Sequence, residues 1–347
     1  MLFFSVGLPS RFAEWCDAVV AQLAQSLGPA EGIGANTLEE FATGVIHARS
    51  PYLVVMSRLL GQLQSTLAQA NLPFIVAVDD PRRGLRDLVL HHDMEFLEAT
   101  RQVASSCATV VGCVAMPNAL VLHADKDGLD PVAAVAAIAR HFELSTTPED
   151  VLQIVETLAA SGISARGDAD SGWLNSLGDA QRGIVAGALD PYTARFGEGE
   201  LGPITWEREL FFVSGKPNER LAASHPVDIT GGARFLIYGP YITLPPGSWS
   251  ATVALGFSKE AAEIGYVVDF VAGTQLSHVR IEPGSERQME VDLHFTIDKP
   301  LDQPIVMRVA SERAAFDGRL ALGHVTLSTH GHMRPETRNY FTTALSE

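Results

Sequence analysis

The sequence predicts an α/β three-layer domain built on a parallel sheet, followed by an all-β sandwich that is jelly-roll-like. Three observations predict it. Up to about residue 160, short apolar runs alternate with stretches of helical periodicity, the signature of βαβ units. After residue 204 the apolar segments turn short, β-rich and often alternating, with Pro and Gly turns between them. Between these regions, 161–203 is richer in Gly, Ala, Asp and Ser, and a chain of 347 residues suits two domains of roughly 100–200 residues better than one. The expected division is an α/β domain at 1–203, a sandwich at 204–329 and a tail at 330–347.

The apolar run Leu2–Gly7 reads as a buried strand. Arg11–Leu27 reads as a helix, with Phe12, Trp15, Val19, Leu23 and Leu27 on its apolar stripe. A helix is expected at 37–48, a strand at 52–56, a helix at 58–70 and a strand at 73–78. Helical segments follow through 85–105. The run Ala119–His123 reads as a strand leading into the alanine-rich helix Pro131–His141. Residues 147–160 begin Thr-Pro-Glu-Asp, which places Thr147 as N-cap and Pro148 at the first helical position. One more helix is expected at 174–189, then a glycine-rich linker at 197–202. Strands are expected at 235–238, 250–257, 266–271, 277–281, 288–297, 305–310 and 320–327, set off by turns such as Pro245-Pro246-Gly247, Pro283-Gly284 and Asp317-Gly318.

Hydrophobic residues make up 46% of the chain and charged residues 19%, a globular composition that excludes a mainly disordered chain. The net charge of −16, with lysine only at 126, 216, 259 and 299, argues against nucleic acid or an anionic membrane surface as partner. No run approaches the roughly 20 apolar residues of a membrane span, and no basic segment precedes the first apolar run. The three cysteines, Cys16, Cys107 and Cys113, form no CxxC pair. Together these features read as a reduced, cytoplasmic protein with buried thiols and no membrane insertion.

A strand, a short loop and a helix opening at Arg11 form the usual layout of a phosphate cradle, because a helix start offers free N–H groups to an anion. No GxxxxGK[ST] occurs, which excludes an ordinary Walker loop. Three segments nevertheless carry a family resemblance: FSVGLPSRFAEW at 4–15, FIVAVDDPRR at 74–83 and LVLHADKDGLDP at 120–131. Their order resembles the sulfotransferase family, a P-loop relative that uses the sulfate donor PAPS. There the corresponding stretches are the P-K-S-G-T-x-W loop, the R-x-P-R-D strand that holds the 3′-phosphate, and a strand and helix around Y-E-D-L and D-P.

Pro9 and Trp15 keep the family spacing, but every departure falls on a residue that would touch an anion. Ser10 stands in place of the lysine, Phe12 in place of a glycine, and Glu14 occupies the first helical turn. Asp79 replaces the phosphate-binding arginine, and Asp87 lies where a serine would be. The family's K-T-H segment, source of its catalytic base, is met by Met56-Ser57-Arg58. The resemblance implies a retained fold whose donor loop, Pro9, Ser10 and Arg11 with Arg82 and Arg83, is degenerate, so no cofactor is expected. The competing arrangement has Arg11, Arg58, Arg82, Arg83 and Arg86 rebuilding an anion site for PAPS. Arg11 and Arg58 would then contact the donor, and a carboxylate such as Glu14 would serve as general base.

In the C-terminal half, GARFLIYGPYITLPPGSW at 232–249 is similar to a segment of sandwich domains attached to bacterial enzymes of surface-polysaccharide synthesis. Those domains look like carbohydrate-binding modules. Sugar rings need flat aromatic faces and planar polar groups, and Tyr238, Tyr241 and Trp249 with Arg234 and Asp269 are the candidates. The same aromatics equally suit a sandwich core, with Pro-Pro-Gly as a hairpin turn. His91-His92-Asp93 and Asp125-Lys126-Asp127-Gly128 have the composition of metal ligands without their spacing, because adjacent helical histidines diverge and Ala134 stands at the twelfth position of the calcium-loop pattern. No metal is expected. His330-Gly-His332 reads as a surface pair in the tail.

Three functions stand at this level. The first is a non-catalytic or strongly diverged sulfotransferase-like protein of bacterial glycan metabolism. Its partner would be a glycan or glycosylated small molecule, with a polysaccharide-assembly enzyme as a second partner. The second is an active glycan-modifying transferase using PAPS or another donor, and the third is a protein-interaction scaffold.

Overall fold

The computed structural model describes residues 1–57, 64, 67, 69–165, 172–197, 199–214 and 221–330. Arg58, the rest of the helix expected around it, and residues 331–347 lie outside the described residues, apart from isolated positions between 64 and 70.

Five strands, β1 (Leu2–Gly7), β2 (Ala30–Gly34), β3 (Tyr52–Ser57), β4 (Phe74–Val78) and β5 (Ala119–His123), form one sheet in the order β2-β3-β1-β4-β5. Every pairing is parallel. Apart from β2, the strands read as continuous apolar runs because both faces are covered. Phe3, Val54, Ile75 and Ala77 point to one side, against helices α1 (Arg11–Leu27), α5 (Pro131–His141) and α6 (Pro148–Ala160). Phe4, Val6, Leu53, Val55, Phe74 and Val76 point to the other, toward α3 (Pro81–His91) and α4 (Phe96–Cys113).

Local chemistry sets the helix starts. Ser10 caps α1 by accepting from the Ala13 N–H. Thr37 and Glu40 form a capping box on α2 (Leu38–His47), and Asp80 caps α3 with Pro81 at its first turn. Thr147 and Asp150 cap α6 as the Thr-Pro-Glu-Asp signature predicted. Each such cap stabilises its helix by about 1 kcal/mol.

Three local readings are corrected. The Ala-Glu-Gly-Ile-Gly stretch is edge strand β2, which its two glycines and exposed residues concealed. The helical region at 85–105 starts earlier and is two helices, α3 and α4, separated at Asp93 with φ +51°. The helix expected at 174–189 is interrupted at Gly178, giving α7 (Gly172–Ser176) and α8 (Asp179–Ala188), with α9 (Asp190–Phe196) after them.

The C-terminal half is an antiparallel two-sheet sandwich. One sheet runs β13 (Thr274–Ile281), β12 (Tyr266–Ala272), β15 (Ile305–Ser311), β10 (Phe235–Ile242), β7 (Phe212–Val213) and β8 (Leu221–Ala222). The other runs β14 (Arg287–Ile297), β11 (Gly247–Phe257), β16 (Arg319–His330) and β6 (Ile204–Glu207), with β9 (Val227–Asp228) paired to β16. Each of the seven expected strands lies inside one of these, and β10 continues through Gly239-Pro240 to Ile242.

The apolar core on the α4 side of the parallel sheet is continuous with the sandwich core. Helix α4 supplies much of this junction. The Thr243 N–H donates to Ser105 Oγ at 3.1 Å, and the Arg101 guanidinium donates to the Leu210 carbonyl at 2.8 and 3.2 Å. Helix α8 packs on β6 at Gly187, where an added Cβ would meet the Thr205 carbonyl oxygen at 2.7 Å. An exposed helical Gly→Ala change ordinarily gains about 1 kcal/mol, but this contact reverses the sign. Gly187→Ala should lose about 1–3 kcal/mol, read as a lowered thermal midpoint, while Gly183→Ala on the same helix, with nothing within 4 Å of its Cβ, should not fall. A midpoint for Gly187→Ala at or above that of the parent contradicts this packing.

Candidate functional site

The carboxyl ends of parallel strands are where open α/β sheets bind ligands. Here β1 ends in the loop 8–10, and the Ser10 N–H turns back to the Leu8 carbonyl at 2.8 Å before α1 begins. The next orphan donor, the Arg11 N–H, is taken by the Asp87 carboxylate at 3.2 Å. Asp87 sits on α3, is 5% exposed, and accepts from the Arg86 guanidinium at 3.1 and 3.3 Å. The partial positive charge at the start of α1 therefore faces a buried carboxylate of the protein itself.

Neighbouring donors are committed the same way. Asp79, buried at the end of β4, accepts from the Asp80 N–H at 2.8 Å and from Arg83 at 3.0 Å, and it bonds the Ser10 hydroxyl. Burial pushes its carboxyl above the ordinary value, against the pull of Arg83. Arg83 also reaches Asp125 at 2.9 Å, tying the end of β4 to the end of β5. Arg82 grips Asp80 at 2.6 Å; burial alone would raise the Asp80 carboxyl, and Arg82 holds it below its usual value.

Of the residues the sequence assigned to an anion loop, Pro9, Ser10, Arg11, Arg82 and Arg83 come together at the ends of β1 and β4. Glu14 is exposed on α1, 3.7 Å from His92, and Arg11 meets His91 at 3.0 Å. The sequence flagged Asp79 and Asp87 as replacements without showing that each would fill the cradle. It missed Asp80 and Asp125 as partners of Arg82 and Arg83, although the Asp80-Pro81 helix start was a readable signal. Asp127 accepts from the His123 N–H at 2.6 Å inside the turn after β5, and among the described residues no group of three candidate metal ligands gathers. The three cysteines are buried and none is in a disulfide; burial drives the Cys107 thiol well up and the Cys113 thiol to about 12, which leaves both unreactive.

The aromatic set of the sandwich does not form one platform. Trp249 is 1% exposed, and its indole N–H donates to the Pro245 carbonyl at 3.1 Å. The expectation that it offers a face to a sugar is corrected: Pro-Pro-Gly turns the chain and seals Trp249 into the core. Asp269 is buried against Arg308, its partner across β12 and β15. Arg234 bonds the carbonyls of Asp228, Ile229 and Thr230. At about 3.3 Å per strand residue, it stands on the order of 20 Å from Tyr241 at the far end of β10.

Tyr238 and Tyr241 do meet, at 6.2 Å, and both pack on Phe212, which the sequence did not single out. Tyr241 lines a cleft of about 1130 Å³ between the two halves, bounded by the start of α2, one side of α4, and the 301–304 loop.

No family model matches the chain, and no curated protein matches it by sequence. Solved structures are similar to each half. A mouse sulfotransferase complexed with PAP aligns with 14% identity and a TM-score of 0.37, over 53% of this chain and 82% of that one. The CBM36-1 domain of a xylanase from the hindgut metagenome of Trinervitermes trinervoides aligns with 10% identity and a TM-score of 0.25, over 38% and 99%. The C-terminal CBM6 of a laminarinase from Zobellia galactanivorans aligns with 12% identity and a TM-score of 0.25, over 37% and 99%. The N-terminal half is thus structurally similar to a sulfotransferase and the sandwich to carbohydrate-binding modules.

Two measurements test the filled cradle. Removing one partner of a buried charged pair is costly, so Asp87→Ala should destabilise the protein by about 3–5 kcal/mol in urea unfolding, and Asp87→Asn, which keeps an acceptor, by less. Equal losses in the two variants contradict the arrangement. For Asp79 the sign follows from proton linkage. Folded Asp79 holds its proton more tightly than an unfolded Asp with its value of 3.8, so its contribution to stability falls as pH rises through the window above 3.8. The stability of Asp79→Asn relative to the parent should therefore increase with pH across that window. A flat or decreasing difference contradicts it.

Proposed function

We propose that this chain is a non-catalytic or strongly diverged sulfotransferase-like protein that binds a glycan and supports bacterial surface-polysaccharide synthesis or modification. One observation carries the reading: the Asp87 carboxylate holds the Arg11 N–H, the donor that a bound phosphate needs first. A phosphate about 5 Å from that carboxylate is opposed by about 3 kcal/mol per unit charge at an effective dielectric near 20. Arg82, Arg83 and Arg86 do not offset this, because each faces an aspartate. A neutral, hydroxyl-rich ligand meets no such barrier, and the cleft beside Tyr241 offers it an aromatic ring and polar side chains. Among the described residues no helix is long and apolar enough to cross a membrane. Buried cysteines with no disulfide among them favour a reducing, cytoplasmic setting.

Calorimetry of the full chain with PAP and with PAPS tests the reading against an active transferase. No heat of binding is expected up to millimolar nucleotide. Micromolar binding that disappears in Arg11→Ala overturns it.

A further inference from the structure

Tyr241 occupies an unusual backbone position. Its φ is +66°, in the left-handed region that bulky side chains rarely adopt. Strand β10 pairs with β15 at Pro240 and again at Ile242, and the register shifts between them, so Tyr241 is the bulged residue. A bulge re-aims one side chain out of the strand's alternation. The effect is visible in burial. Pro240 and Ile242 are buried, whereas Tyr241 is 37% exposed and lines the interdomain cleft. Phe212 and Tyr238 pack on the ring at 6.0 and 6.2 Å and hold it there.

The opposite wall belongs to the other half of the molecule. The lining includes Gln102 on α4, and Gln303 in the 301–304 loop of the sandwich. Amide groups of this kind can donate and accept toward neighbouring hydroxyls. The charge lining the space is mostly negative, from Glu39, Glu98 and Asp302. The cleft's guanidinium, Arg101, is bonded to the Leu210 carbonyl and lies 4.4 Å over the Phe212 ring. Carboxylates accept strongly from sugar hydroxyls and repel sulfate or uronate groups. The volume of about 1130 Å³ exceeds the roughly 300–1,000 Å³ usual for a small-molecule site, which favours an extended ligand.

From this we infer that the cleft between the two halves is a composite binding site for an uncharged oligosaccharide, with Tyr241 as the stacking surface and Gln102 and Gln303 as hydrogen-bonding partners. The inference rests on the glycan-binding reading above and adds to it the place and the ligand class. Both halves contribute, so the site exists only where they are docked.

The test uses the full chain on a glycan array spanning neutral, uronate-containing and sulfated oligosaccharides, followed by calorimetry on the strongest array ligand. The variants are Tyr241→Ala, Tyr241→Phe and Gln102→Ala. Gln288→Ala, in the groove on the far sheet of the sandwich, is the control. Neutral oligosaccharides should bind; Tyr241→Ala and Gln102→Ala should each weaken binding tenfold or more, with Tyr241→Phe and Gln288→Ala close to the parent. If Tyr241→Ala fails to fold, Gln102→Ala and Tyr241→Phe still decide the matter. Binding lost in Gln288→Ala but intact in Tyr241→Ala and Gln102→Ala overturns the cleft and leaves glycan binding standing. Preference for uronate or sulfated glycans overturns the ligand class. Failure to bind any glycan overturns the glycan reading and the cleft with it.

Discussion

A carboxylate of the protein fills the positive end of its own first helix, and much of the chemistry of the N-terminal half follows from that contact. Asp87 lies 76 residues after Arg11 and reaches its N–H from helix α3, so the interaction ties α3 to the β1–α1 loop. Once it is in place, Arg86 has a buried counter-ion, and the neighbouring arginines settle on Asp79, Asp80 and Asp125. What could have been a concentrated basic anion trap is instead a set of internal ion pairs. Partnered in this way, buried charges are tolerated where isolated ones would be very costly.

Helix α4 makes the second decisive contribution. It covers one face of the parallel sheet and also packs on β10 of the sandwich, so one helix serves both cores. Arg101 and Ser105 anchor it to the sandwich, and the cleft opens beside these contacts. The geometry of the proposed binding site is thus a consequence of how the halves dock. The Tyr241 bulge then turns the one aromatic side chain that β10 offers at that end into the space.

The fold was largely legible in the sequence, and the site only in part. Strands such as β1 and β5 and helices such as α1 and α5 carry strong periodicity and clear start signals, and their limits coincide with the expected ones. Strand β2 was not legible, because an exposed edge strand with two glycines has neither alternation nor an apolar run. The acidic substitutions at Asp79 and Asp87 were visible one by one, but their pairing with backbone N–H groups and two arginines needs tertiary geometry. Trp249 was misassigned for a general reason. Composition cannot distinguish an aromatic that faces a ligand from one that faces a core, and only the fold places the indole N–H against Pro245. Phe212, remote in sequence from Tyr241, reaches it through the pairing of β7 with β10, and Gln102 enters the cleft through the docking of the halves.

The acidity of the chain acquires two roles from these contacts: carboxylates at the sheet end are matched by arginines, and carboxylates in excess line the cleft. The claim on which the account rests is that the helix start is filled from within. A crystal of the full chain soaked in sulfate tests it most directly, by the density next to the Arg11 N–H. The Asp87 carboxylate should occupy that position with no sulfate bonded to this N–H; sulfate bound there with Asp87 displaced would show that the helix start is open to anions.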